Sequence, residues 1–149
     1  MSAEQQFENL ECWKLARQLT NSIYDFTRGD KVKKDFAYVD QIRRASVSIM
    51  NNISEGHERG SNKDFIKFLY IARGSAGEVR NMLYIGQDQG YLDKPAFEEL
   101  MDLVIQISKV CYGLIRYLSK NLDWKSKISI ALFLLLIPFL HHGNISLAT

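Results

Sequence analysis

Cysteine and proline are scarce, two of each in 149 residues. Cys12 and Cys111 are too few and too far apart in sequence for a disulfide framework or a zinc site, so two free thiols in a reducing compartment are expected. No apolar run is long enough to span a bilayer. The longest, residues 128–140, is interrupted by Ser129 and Pro138. As a helix it would reach about 20 Å against a hydrocarbon core of about 30 Å, so membrane partnership is not expected. Neither sign of charge dominates: the chain carries a formal +2 and a pI near 8.5, below the pI above about 9 of a dedicated nucleic-acid binder. The opening Met-Ser-Ala-Glu-Gln-Gln has no basic flank or apolar core of a secretory signal, which leads to the expectation of a cytoplasmic protein. With 46% apolar and 24% charged residues, the composition is that of one globular domain with a sizeable core. A disordered or collagen-like chain is excluded.

What is present is helical periodicity. Cys12, Ala16, Leu19, Ile23 and Phe26 recur at spacings of three and four, predicting a helix over residues 9–27 that Gly29 stops. Tyr38, Ile42, Ala45, Ile49 and Ile53 predict a second over residues 36–55, with a turn at His57-Glu58-Arg59 bracketed by Gly56 and Gly60. Between them, Lys31-Val32-Lys33-Lys34 reads as a solvated loop. Ser61 or Asn62 caps a third helix reaching residue 89, whose Phe65, Leu69, Ala72, Ala76, Val79, Leu83 and Gly86 form a heptad seam. Gly74 inside it costs roughly 1 kcal/mol against Ala, offset in this reading by close approach of another backbone. Gly90 ends that helix, and Asp93 with Pro95 opens a fourth. Short connections favour an all-α, antiparallel up-down-up-down four-helix bundle over residues 1–124, followed by an apolar extension at 125–149. A further packing helix, an interfacial segment and an out-of-frame extension all remain open for that extension.

The fourth helix carries two apolar stripes. Phe97, Met101, Val104, Cys111, Ile115 and Leu118 make one, and Leu100, Leu103, Ile107, Val110, Leu114 and Tyr117 make the other. Together they exceed the roughly 100° that one core needs, so the second stripe is expected to meet another copy of the chain.

Patterns of enzyme chemistry are missing. His57-Glu58 is half of a zinc-protease motif whose second His position is Ser61. There is no phosphate-binding Gly loop with Lys-Ser or Lys-Thr and no Gly-x-Ser-x-Gly elbow. Gly74-Ser75-Ala76-Gly77 has the Gly-x-x-Gly shape of a KH clamp but falls within a helix. His141-His142 lacks companion ligands, and the sequons at Asn52 and Asn144 have no meaning without secretion. The expectation is a non-enzymatic protein with no catalytic residue, metal or cofactor.

The distinctive block is Gln41-Ile42-Arg43-Arg44-Ala45-Ser46-Val47-Ser48-Ile49-Met50-Asn51-Asn52-Ile53-Ser54-Glu55-Gly56. Arg59, then Phe65-Ile66-Lys67-Phe68-Leu69-Tyr70-Ile71-Ala72-Arg73-Gly74-Ser75, and Glu78 follow it. With Leu10, Trp13, Ala16, Leu19 and Tyr24 upstream and Gly90-Tyr91-Leu92 downstream, residues 7–122 resemble the four-helix-bundle proteins encoded in intervening sequences of bacterial 23S ribosomal RNA genes. Those proteins are also described as ribosomal-protein-like, and are similar in fold to accessory variability determinants of diversity-generating retroelements. The resemblance implies a bundle assembling into a homopentameric ring and associating with nucleic acid or ribonucleoprotein; it implies no reaction. Two departures stand out. The family often has Phe-Pro and an acidic residue where this chain has Arg28 to Lys34, and it usually ends near the close of the fourth helix, so the tail inherits nothing.

In physical terms, Arg43, Arg44, Arg59, Lys63, Lys67, Arg73 and Arg80 are candidates for a phosphate-facing surface, which a ring would repeat about its axis. The opposing reading pairs Arg44 or Arg73 with Glu55 or Glu78. In it, Asn52, Glu55, Gly56, Gly74, Ser75 and Glu78 fix helix register. Tyr38, Tyr70, Tyr84 and Tyr91 are candidates for base stacking, although Tyr38 sits on a core stripe. Three functions follow: a self-associating bundle that binds RNA or DNA electrostatically, a scaffold for a reverse transcriptase or other nucleic-acid enzyme, and a bundle tethered to a membrane by its tail.

Overall fold

The computed structural model describes residues 6–120 and 122–142, with side chains placed up to residue 136. A short 3-10 turn, Phe7–Asn9, leads into α1 (Glu11–Phe26), α2 (Phe36–Glu58), α3 (Asn62–Asp88), α4 (Lys94–Ser119) and α5 (Trp124–His142). The chain is all-helical: α2 packs on α3, α3 on α4, and α1 closes the ring against both α2 and α4. This is the up-down-up-down bundle, with α5 laid against α3.

α2, α3 and α4 each start on a side chain that satisfies an otherwise orphaned amide. Asp35 accepts from the Tyr38 amide at 3.1 Å, Ser61 from Asp64 at 3.1 Å, and Asp93 from Ala96 at 3.0 Å. Gly60 and Gly90 both take φ +70°, the left-handed conformation that ends α2 and α3. The seam positions on α1, α2 and α3 form one buried core with Val104, Ile107, Cys111 and Ile115 of α4.

Four expectations change. α2 runs one turn further than expected, to Glu58, because Gly56 is inside the helix and not its stop. A Cβ there would lie 2.5 Å from Phe68 Cβ and 3.0 Å from Phe65 Cδ2, so Gly56 is where two α3 side chains pack directly on the α2 backbone. The close approach expected at Gly74 is absent: nothing lies within 4 Å of a Cβ built there. The 28–34 connection is not wholly solvated, since Val32 is buried in the core. Finally, Leu100, Leu103 and Ile107 of the second α4 stripe are buried within the protomer, because α1 and α3 flank α4 on both sides. Val110 and Leu114 are half-buried and Tyr117 is 64% exposed, so only the C-terminal half of that stripe remains open to a partner.

Candidate functional site

The 41–56 block on α2 spends most of its polar groups inside the protomer. The Arg43 Nε donates to Thr27 Oγ1 at 2.8 Å, and its guanidinium lies 4.6 Å from the Tyr24 ring. Thr27 in turn donates to the Ile23 carbonyl at 2.7 Å, so Arg43 ties α2 to the last turn of α1. Asn52 donates to the Ser48 carbonyl at 2.7 Å and to Ser48 Oγ at 3.1 Å. Ser48 Oγ meets Ser75 Oγ of α3 at 2.9 Å, a polar tie at the small-residue crossing of α2 and α3. Arg44 is exposed, 3.7 Å from Asp40, and borders a shallow groove of about 600 Å³ with Tyr24, Val47, Asn51 and Asn52.

The other end of the bundle is different. There α2 ends, α3 begins, and α4 passes into α5. Arg59 pairs with Glu55 at 2.5 Å and stacks on Phe68 at 4.7 Å. Lys67 pairs with Asp64 at 3.2 Å and holds its ammonium 5.2 Å from the Phe133 ring of α5. The Asp64 carboxyl is held below its ordinary pKa, first by the Ser61 hydroxyl at 2.7 Å, then by Lys67 and the field of Lys63. The same Lys63 contributes to lowering Asp123, whose main cause is its hydrogen bonding to Ser126. One lysine therefore senses both the start of α3 and the α4–α5 junction. Arg116, Lys120, Lys125 and Lys127 belong to this end by topology. Against these cations stand Glu55, Glu58, Asp64 and Asp123, and the start of α1 at the same end adds Glu8, Glu11 and Lys14, so the pole is only modestly net positive.

Of the seven cations singled out from sequence, the structure brings Arg59, Lys63 and Lys67 together. Arg43 is sixteen positions from Arg59, about 24 Å of helix. Arg80 is exposed, further up α3 and about 25 Å from Lys63 by helical rise. Arg73 is half-buried over Tyr112 at 4.9 Å, and its Nε finds no acceptor among the described residues. Glu78 is exposed and makes no ion pair with either arginine among the described residues. Arg116, Lys120, Lys125 and Lys127 were not singled out, although an up-down topology already places the end of α4 beside the start of α3.

The stacking candidates divide. Tyr38 is buried and donates to the Met82 carbonyl at 2.9 Å, and Tyr91 donates to Asp35 at 2.9 Å, so both are structural. Tyr84 is 52% exposed but tilts against Phe97 at 5.3 Å, and Tyr70 is half-buried. Cys12 and Cys111, distant in sequence, meet in the core between α1 and α4. The Cys111 thiol is pushed well above its ordinary pKa by donating to Cys12 and by burial. No group of three or more His, Cys, Asp or Glu among the described residues is placed to hold a metal ion. His141 and His142 lie beyond the described side chains and Asn144 beyond the described residues. No described helix is long and apolar enough to cross a membrane.

No curated protein matches the chain. Among solved structures, it is similar to a protein of unknown function from the S23 ribosomal protein family of Bacteroides thetaiotaomicron VPI-5482. The two are 26% identical with a TM-score of 0.64, over 70% of this chain and 97% of that one. The family model described as 23S rRNA-intervening sequence protein matches residues 8–113, from the start of α1 well into α4. The chain belongs to the 23S rRNA-intervening sequence protein family.

Proposed function

We propose that this chain is a non-catalytic, self-associating helical bundle, most simply a homopentamer as the family resemblance implies, that binds nucleic acid through the basic pole of each protomer. The observation that carries the reading is the excess of cations, Arg59, Lys63, Lys67, Arg116, Lys120, Lys125 and Lys127 with Lys14, over six carboxylates at one end of the bundle. Arg43 supports the fold at the opposite end of α2, and Arg80 stands outside the cluster. The description of the family, tied to a ribosomal RNA gene, supports RNA as the first polyanion to test. With Tyr38 and Tyr91 engaged in the fold, the reading rests on phosphate contacts and includes no sequence readout.

Phosphate contacts release counterions, so affinity must fall with salt. Fluorescence anisotropy with single-stranded RNA is expected to show weakening from about 50 to 200 mM salt, with a log–log slope of about 0.7 per phosphate contacted. Lys63→Glu/Arg116→Glu should lower affinity about tenfold at low salt and flatten that slope by about one to two. A flat salt response, or a double variant that binds like wild type, contradicts the reading. Arg43→Glu is not a usable probe, because that side chain joins α1 to α2. The exposed Tyr112 and Tyr117 favour a second reading, a scaffold for a nucleic-acid enzyme such as a reverse transcriptase. Recovery of RNA alone, with no protein partner, would exclude it.

A further inference from the structure

Helix α5 lies outside the 8–113 region matched by the family, and it is apolar nearly all round. It sits against α3. Ile130 is buried, Leu134 packs on the core, and Phe133 lies under the Lys67 ammonium. At about 100° per residue these three occupy one side of the helix. Trp124, Ile128, Leu132, Leu135 and Leu136 fall on the opposite side, at 75%, 42%, 57%, 68% and 57% exposure. A helix docked by one apolar face therefore presents a second, uncovered one.

The charges beside that face indicate what covers it. Residues 124–142 contain no Asp or Glu. Lys125 falls within the exposed arc, whereas Lys127, also exposed, lies about 60° outside its edge on the side of Leu134. Trp124, with an apolar body and a polar N–H, heads the stripe next to these lysines. Aromatic and basic residues at the margin of a leucine surface are the pattern of a helix lying in a lipid interface, where long lysine stems keep their ammonium among head groups. A second copy fits less well. Side-by-side parallel pairing would set Lys125 against itself, and antiparallel pairing would set it against Leu135 and Leu136. Because α3 already holds one side of α5, the helix can lie on a bilayer but not cross it, in keeping with its short apolar span.

We infer that α5 is an interfacial anchor that lays Trp124, Ile128, Leu132 and Leu135 into the surface of an anionic bilayer, with Lys125 on lipid phosphates. The anchor rests on the apolar face and not on nucleic-acid binding. The test is flotation of the full-length chain with vesicles of phosphatidylcholine alone and of phosphatidylcholine with equimolar phosphatidylglycerol. The chain should float with the mixed vesicles, and its tryptophan emission should shift to the blue. Trp124→Phe should abolish the shift. Leu132→Gln/Leu135→Gln should lower the floated fraction at least tenfold while circular dichroism and RNA affinity stay unchanged, since both side chains are exposed and no charge is added. Lys125→Glu should reduce flotation on mixed vesicles. Three results would overturn the inference: no flotation of wild type on either vesicle, equal flotation by the leucine variant, or a fall in sedimenting mass in that variant with no flotation of wild type. The last would assign the stripe to a second copy.

Discussion

Gly56, Gly74 and Gly86 look alike in sequence, each inside a helix, yet they stand in three different places. A side chain at Gly86 would collide with the Tyr38 hydroxyl, and one at Gly56 with Phe65 and Phe68, whereas Gly74 faces open space. Overpacking a core costs about 1–3 kcal/mol, while an exposed helical Gly→Ala gains up to about 1 kcal/mol. Urea unfolding should therefore show Gly56→Ala and Gly86→Ala destabilised in that range and Gly74→Ala unchanged or more stable. Loss of stability in Gly74→Ala would place another backbone at that site. The Tyr38 phenol gives a second test at this scale. Burial, then the charges of Tyr91 and Asp35, raise its pKa above the ordinary value. The unfolded chain then ionises first, so the Tyr38 contribution is complete below about pH 10 and is lost as pH rises above it. The urea midpoint should fall steeply above that pH in wild type and less steeply in Tyr38→Phe.

Among the elements, α4 was the most informative and the most misleading. Its excess of apolar residues was plain from periodicity, but periodicity does not say how much of a flank neighbouring helices cover. Leu100, Leu103 and Ile107 went inside because α1 and α3 both reach them. Tyr112 touches Arg73 and marks the α3 side of α4. Val110, Leu114 and Tyr117 lie roughly 140–160° round the helix and so face the α1 side. Self-association through that side predicts that Leu114→Glu/Tyr117→Glu yields a folded protein of lower sedimenting mass. Leu103→Glu should instead unfold the protomer, because it buries a charge in the core. Equal mass in wild type and Leu114→Glu/Tyr117→Glu would exclude this flank as the interface. The helix starts at Ser61 and Asp93 were legible because capping is local. The extra turn of α2 was not, since a glycine in ordinary helical conformation looks the same in sequence as one that stops a helix.

For the whole molecule, the bundle was readable from four apolar stripes and short connections, while the grouping of cations was not. Arg43 and Arg44 are adjacent in sequence, yet one is tied to Thr27 and the other lies exposed beside Asp40. Lys63 acquires its company only when the end of α4 folds beside the start of α3. Such partners depend on the register between helices, which no single segment carries. The meeting of Cys12 with Cys111 has the same origin. Multiplying a modest positive pole requires several copies of the protomer, and that requirement can be measured. Sedimentation equilibrium of the full-length protein at micromolar concentration should give a mass several times the 17.2 kDa of one chain, five times it for a pentamer. A single-chain mass across that range would contradict the account.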